Sequence, residues 1–363
     1  MKSPPYCNDL QATSLIRSLQ TDITNPDLNV NKKKKVKNID MKSQDLNENS
    51  IEHVIDPLKM KLQDNTLKHF SLFNRIDVKF LLFTNSKHWI KRAKKYHIEY
   101  STNFTTNEYG TPFFFPMLEY IESHYISSFY GFLNGDILLH GNIVNILDTV
   151  LQDIQTGKLY PQIMITGRRN NKEIDITDNI GTTNEEINQF IQQSVYKNEQ
   201  FIPVSQDYFI FTKGTFDYPN MFPVVIGRND YDNYLVDYCY HRNDSISLID
   251  GSNAIIALHQ TESHGNFAGE RVNPDKKWNH LLIGKHHEYD SVLFANWRLY
   301  TTTDNHNYLI HASPFDDNYT DRELQFLQSH IPDTSCIFIY YIFIYLYIYI
   351  FTSVSRLATP AYA

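Results

Sequence analysis

Between residues 129 and 167 the chain sets one amphipathic segment between two short apolar runs, and that order restricts the fold more than any other feature. The segment NIVNILDTVLQDIQTG (142–157) puts Ile143, Ile146, Leu147, Val150, Leu151 and Ile154 at helical spacing and closes on Gly157, so it predicts a helix with one buried face. The flanking runs FYGFL and PQIMITG have strand length and strand composition. A strand, a helix and a further strand at this spacing imply a crossover connection, hence parallel strands covered by helices.

The pattern extends in both directions. DVKFLLFTN (77–85) reads as a buried strand, SKHWIKRAKKYH (86–97) as a helix capped by Ser86, and PFFFPMLEYIESHY (112–125) as a helix after a turn. Further on, EEINQFIQQSV and NDYDNYLVDYCYHR read as helices, and QDYFIFTKG, SISLID and AIIALHQ as strands. The expected class is α/β, with a mainly parallel sheet flanked by helices, in one domain spanning residues 51–330. Residues 1–50 are rich in Asn, Asp, Ser and Lys and include NKKKKVKN, the composition of a disordered lead-in. CIFIYYIFIYLYIYIF (336–351) is apolar throughout but falls short of the roughly 20 residues of a membrane helix. Three readings of it stay open: a membrane anchor, a buried or interfacial segment, and a low-complexity terminus. The anchor is preferred because an exposed run of this kind aggregates. It would place the chain in the endomembrane system (ER or Golgi); otherwise a cytoplasmic location is expected. A net charge of -8 disfavours non-specific binding to nucleic acid. Three widely spaced cysteines give neither a zinc motif nor a disulfide framework.

Four places carry residues able to do chemistry, each where an expected strand ends or a helix begins, the edge at which α/β sheets bind ligands. Asn134 and Asp136 follow the run FYGFL two residues apart; on a continuing strand they would share a face and could hold Mg²⁺ or Mn²⁺, although Asn-Gly-Asp is also turn chemistry. Arg168 and Arg169 follow PQIMITG, and Arg forks match phosphate oxygens, although an exposed basic pair is the commoner case. Asp230 and Asp232 fall at the start of the helix in NDYDNYL, where the dipole favours an ionised carboxylate fit to act as a general base. His259 and His264 end and follow AIIALHQ, and either imidazole could ligate a metal.

With these residues in order, the stretch from about 52 to 285 resembles nucleotide-sugar glycosyltransferases of the GT-A fold. FLNGDILL is similar to an N-x-D variant of the D-x-D motif, YGTPFFFPMLEYI to the segment before it, IMITGRR to the strand after it, and FPVVIGRNDYDNYLV to the acid-bearing helix on the acceptor side. The resemblance implies transfer of a sugar from a nucleoside-diphosphate donor to a hydroxyl on a glycan, protein or lipid acceptor. It implies Mn²⁺ or Mg²⁺ at Asp136 with Asn134 and His259 or His264, Arg168 and Arg169 on the donor diphosphate, and Asp232, or failing it Asp230, as base. The family's first nucleotide-binding strand should lie near IEHVIDPL (51–58), which is short, charged and interrupted by proline. Two further readings are a GT-A-like domain that binds or scaffolds without catalysis, and a metal-dependent phosphoesterase drawing on the same acids and histidines.

Overall fold

Successive residues along the central strands enter opposite cores. On β2 (Val78–Phe83), Phe80 and Leu82 join one core while Leu81 and Phe83 join the other. On β4 (Phe129–Leu133), Phe129 and Leu133 are split in the same way from Tyr130 and Phe132. This is period-two alternation with both faces covered, which is why these runs are apolar at nearly every position, the exposed Lys79 of β2 excepted. The computed structural model describes residues 13–17, 57–73, 78–198, 200–262, 274–286, 288–302 and 306–311. Among them, helices α1 (Pro57–Leu72), α2 (Lys87–Lys95) and α4 (Ile143–Gln155) cover one face, and α3 (Phe114–His124) and α6 (Tyr231–Tyr240) cover the other. The stripe predicted for 142–157 is the buried side of α4, which ends before Gly157 at φ 76.

The large sheet is mixed, not mainly parallel. Besides β2 and β4 it holds β1 (Thr13–Arg17), β3 (Glu99–Ser101), β6 (Gln162–Thr166), β8 (Tyr208–Phe211), β9 (Ile246–Asn253), β11 (Trp297–Thr301) and β12 (Asn307–His311). Their order is β12-β11-β9-β6-β8-β4-β1-β2-β3 among the described residues. β8 runs antiparallel to both its neighbours, β4 and β6, and β1 is antiparallel to β2 and β4. Thr13–Arg17 therefore corrects the expectation of a wholly disordered 1–50: this stretch supplies a strand to the sheet. Residues 51–56, where a first nucleotide-binding strand was expected, lie outside the described residues, and Pro57 opens α1, a position that suits a residue lacking an N–H. The apolar segment 336–351 also lies outside them; among the described residues no helix is long and apolar enough to cross a membrane.

A second, three-stranded sheet of order β5-β10-β7 stands beyond one edge of the first. It consists of β5 (Ile137–Leu139), β7 (Asn170–Glu173) and β10 (Ala257–Thr261), with Leu138 and Leu258 packed on Ile187 and Ile191 of α5 (Asn184–Lys197). β4, β6 and β9 point the same way, and each continues into a strand of the small sheet through a short connector: 134–136, 167–169 and 254–256. Three connectors join the two sheets; the second and third keep the strand direction, since β7 and β10 are parallel, whereas the first reverses it, since β5 is antiparallel to β10.

Candidate functional site

The first connector is a turn. Ile137 N–H bonds the Asn134 carbonyl at 3.1 Å, so the strand ends at Leu133 and Asn134 and Asp136 diverge instead of sharing a face. Asn134 turns towards β8. Its backbone N–H donates to the Asp207 carbonyl at 2.9 Å, its Nδ2 donates to Asp207 Oδ1 at 2.6 Å, and its Oδ1 accepts from the Tyr231 hydroxyl at 3.2 Å. Tyr231 opens α6 and is held by ring contacts with Phe114, Phe132 and Phe209.

Asp136 turns towards the small sheet. Its carbonyl accepts the Gln260 N–H at 3.0 Å, and its Oδ2 lies 3.3 Å from His259 Nε2. The half-buried Asp136 side chain keeps one oxygen, Oδ1, inaccessible and without a hydrogen-bond partner among the described residues. Burial alone would raise its pKa. The charge of His259, the hydrogen bond to it and the charge of Arg169 outweigh burial and hold the carboxyl below its usual range.

Both arginines of the second connector are engaged by the protein. Arg168 Nε donates to the Phe201 carbonyl at 2.7 Å, and its backbone N–H donates to Ser252 Oγ at 2.8 Å. Arg169 is buried, forms an ion pair with Asp207, and donates to Ser205 Oγ at 2.6 Å and to Asn171 Oδ1 at 3.1 Å. Gly167 ahead of them is required by space, since a Cβ there would meet the Tyr208 hydroxyl and the Ser252 backbone nitrogen.

Asp232 lies in the first turn of α6, where its Oδ2 accepts the Gln206 N–H at 3.4 Å. The helix terminus does not keep it fully ionised, as the sequence suggested. Burial and the neighbouring charge of Asp207 raise its pKa to about 7, against the opposing pull of the Asn233, Asp232 and Gln206 backbone N–H groups. The helix begins at Tyr231. Asp230 is its N-cap residue at φ 75 but makes no capping bond; its carboxylate meets His280 Nδ1 at 3.1 Å.

His259 is buried on β10, with Nδ1 3.0 Å from Asn171 Oδ1. His264 lies outside the described residues. Among those residues no three His, Cys, Asp or Glu side chains converge as a metal cluster. Asp136 Oδ2 and His259 Nε2 are two described groups that could face a divalent cation together, with water and phosphate oxygens left to complete its shell. Asn134 does not fit, since both atoms of its amide are engaged elsewhere.

The junction therefore joins Asn134, Asp136, Arg169 and His259, with Asp232 beside Asp207, while Asp230 and Arg168 face other partners. Sequence reasoning missed Asp207, Asn171 and Tyr231. Asp207 stands at the start of the expected strand QDYFIFTKG, where its place beside the carboxyl ends of β4 and β6 depends on β8 running antiparallel. Asn171 lies in the polar strand NNKE, which has no apolar pattern. Comparison with protein-family profiles, with curated proteins and with solved structures found no match. The chain is an α/β protein with a mixed sheet flanked by helices.

Proposed function

We propose that the protein is a glycosyltransferase of the GT-A type, moving a sugar from a nucleoside-diphosphate donor to a hydroxyl acceptor. One observation carries this reading: at the junction of the two sheets, a carboxylate with an unmet oxygen stands beside an imidazole, and an acid of pKa about 7 lies near the same cluster. Asp136 and His259 would hold Mn²⁺ or Mg²⁺, which supplies charge neutralisation to a leaving diphosphate. Asp232 would accept the acceptor's hydroxyl proton, and a base of pKa near the working pH suits that task. Tyr231 and Asn134 fix the start of α6 against the first connector and so hold Asp232 relative to Asp136. Arg169, although paired with Asp207, keeps a guanidinium near Asp136, where its charge lowers the Asp136 pKa.

The test is thermal stabilisation by nucleotide sugars with and without Mn²⁺, since a ligand that binds only the folded state raises its melting temperature. Asp136→Ala should lose the Mn²⁺-dependent part, and equal stabilisation of variant and parent defeats the assignment. Asp232→Asn should bind donor as the parent does while transfer falls by about 10²–10⁴-fold. A second reading, a GT-A-like domain that binds without catalysing, is favoured by the engagement of both Arg168 and Arg169 within the protein. Donor binding with no transfer to any hydroxyl acceptor would select it.

A further inference from the structure

Asp207 and Asn171 have no assigned role, yet with Arg169 they form one unbroken chain that ends at the proposed cation site. Asp207 pairs with the Arg169 guanidinium, Arg169 Nε donates to Asn171 Oδ1 at 3.1 Å, and Asn171 Oδ1 lies 3.0 Å from His259 Nδ1. The backbone closes the loop, because Asn134, which donates to Asp207, is two residues from Asp136, which meets His259 Nε2 at 3.3 Å.

The donor inventory fixes the direction of every link. A guanidinium can only donate, so the Asn171 group facing Arg169 Nε must be its oxygen. That same oxygen faces His259 Nδ1, so Nδ1 must carry a proton. With Nδ1 donating, Nε2 meets the Asp136 carboxylate in one of two ways: as the second donor of an imidazolium, which forms an ion pair, or in the neutral ring as a bare lone pair. In the neutral ring two acceptors face each other, and a divalent cation shared between them takes the place of the imidazolium proton. The same logic explains the asparagine of N-x-D. Asp207 can only accept while ionised, so its partner at 2.6 Å must donate, and an acid at position 134 would set two carboxylates against each other.

We propose that Asp207, Arg169 and Asn171 are positioning residues that lock the ring of His259 with Nδ1 as donor, so that His259 Nε2 and Asp136 present a joint acceptor edge to a divalent cation. The cation end of this relay rests on the function proposed above; the ring orientation does not. A metal-ligating histidine held through its other nitrogen by a hydrogen-bond acceptor is a recurrent arrangement, and loss of such a partner costs roughly 10–100-fold in metal affinity.

The test uses the full chain labelled with ¹⁵N, with the His259 signals assigned by their loss in His259→Gln. In alkaline buffer the metal-free parent should carry its His259 proton on Nδ1. Asn171→Leu should lose this preference, while Asn171→Asp, which keeps an acceptor towards both Arg169 and His259, should retain it. Mn²⁺ alone, titrated with the free ion followed by electron paramagnetic resonance, should bind about 10–100-fold more weakly to Asn171→Leu than to the parent. Asn171→Asp should bind at least as well as the parent. A parent ring protonated on Nε2 with Nδ1 bare overturns the relay whatever the metal does. The expected ring states with no Mn²⁺ binding by the parent overturn the cation site and leave the lock standing.

Discussion

Two buried Arg–Asp pairs serve as opposites in this molecule. Arg228 and Asp275 tie the turn before α3, the loop before α6 and the segment leading into α7 (Trp278–Ile283) into one closed knot. Asp275 accepts from Arg228 Nε at 2.7 Å, from Asn107 Nδ2 at 2.9 Å and from Thr111 Oγ1 at 2.6 Å. Arg228 also donates to the Gly227 carbonyl at 2.8 Å and to Thr111 Oγ1 at 3.0 Å. Burial raises the pKa of Asp275, but these bonds from Thr111, Asn107 and Arg228 more than reverse it and hold the carboxyl low. The pair of Arg169 and Asp207 is as buried, yet its network ends in an unmet Asp136 oxygen and borders an acid near neutrality. A completed network is a staple; one that stops short leaves bonding capacity for a ligand.

The contrast can be broken at four points, from the largest expected effect to the smallest. Arg228→Met strands the Asp275 carboxylate and should cost about 3–5 kcal/mol in urea unfolding, with much of it recovered in Arg228→Met/Asp275→Leu. A single variant as stable as the parent would remove the knot from the account. Asp232→Asn should act in the other direction. An acid whose folded pKa is raised to about 7 stabilises fully below its unfolded value, near 4, and loses that contribution as pH rises through 7. The parent should therefore weaken from acid to neutral pH relative to Asp232→Asn, by about 1–3 kcal/mol at pH 8. Parallel stability profiles of the two proteins would contradict the raised pKa.

Asn134→Asp sets a carboxylate against Asp207 and should destabilise by about 1–3 kcal/mol, with a deficit that shrinks in acid. Asn134→Asp/Asp207→Asn should regain part of the loss, because the hydrogen bond reforms in the opposite sense. A loss that does not depend on pH would point to packing instead of charge. Tyr231→Phe removes one hydrogen bond from an otherwise packed ring and should cost about 0.5–1.5 kcal/mol by the same measurement. A cost well above this range would mean that the ring contacts, and not the Asn134 bond, had been disturbed.

What could be read from the sequence follows from what repeats. α4 was legible because Ile143 through Ile154 recur at helical spacing, and β2, β4 and β6 because strands covered on both faces are apolar through most of their length. Strand direction has no such periodicity, so the reversal of β8 was hidden, and with it the fact that Asp207 enters the edge where β4 and β6 leave. β7 is held by pairing with β10 and not by burial, and NNKE announces no strand. α1 was missed because its buried face mixes Leu62, Leu67 and Phe70 with Thr66 and His69. Asn134 and Asp136 were found for a reason the turn overrules: their partners lie on opposite sides of the connector.

The three connectors also set an order in time. His259 meets Asn171 across 88 residues of chain, and the Asp136 carbonyl meets Gln260 across 124. Such closures lose much chain entropy before any contact forms to offset it, and they retard folding. β10 is the middle strand of the small sheet, and it is made after both of its neighbours. On the ribosome, a chain halted before residue 257 can hold Asn134 against Asp207 and Arg169 against Asn171, but has nothing to set opposite Asp136. The pairing of Asp136 with His259 is therefore made late, by a strand that arrives after the two strands it joins have been synthesised.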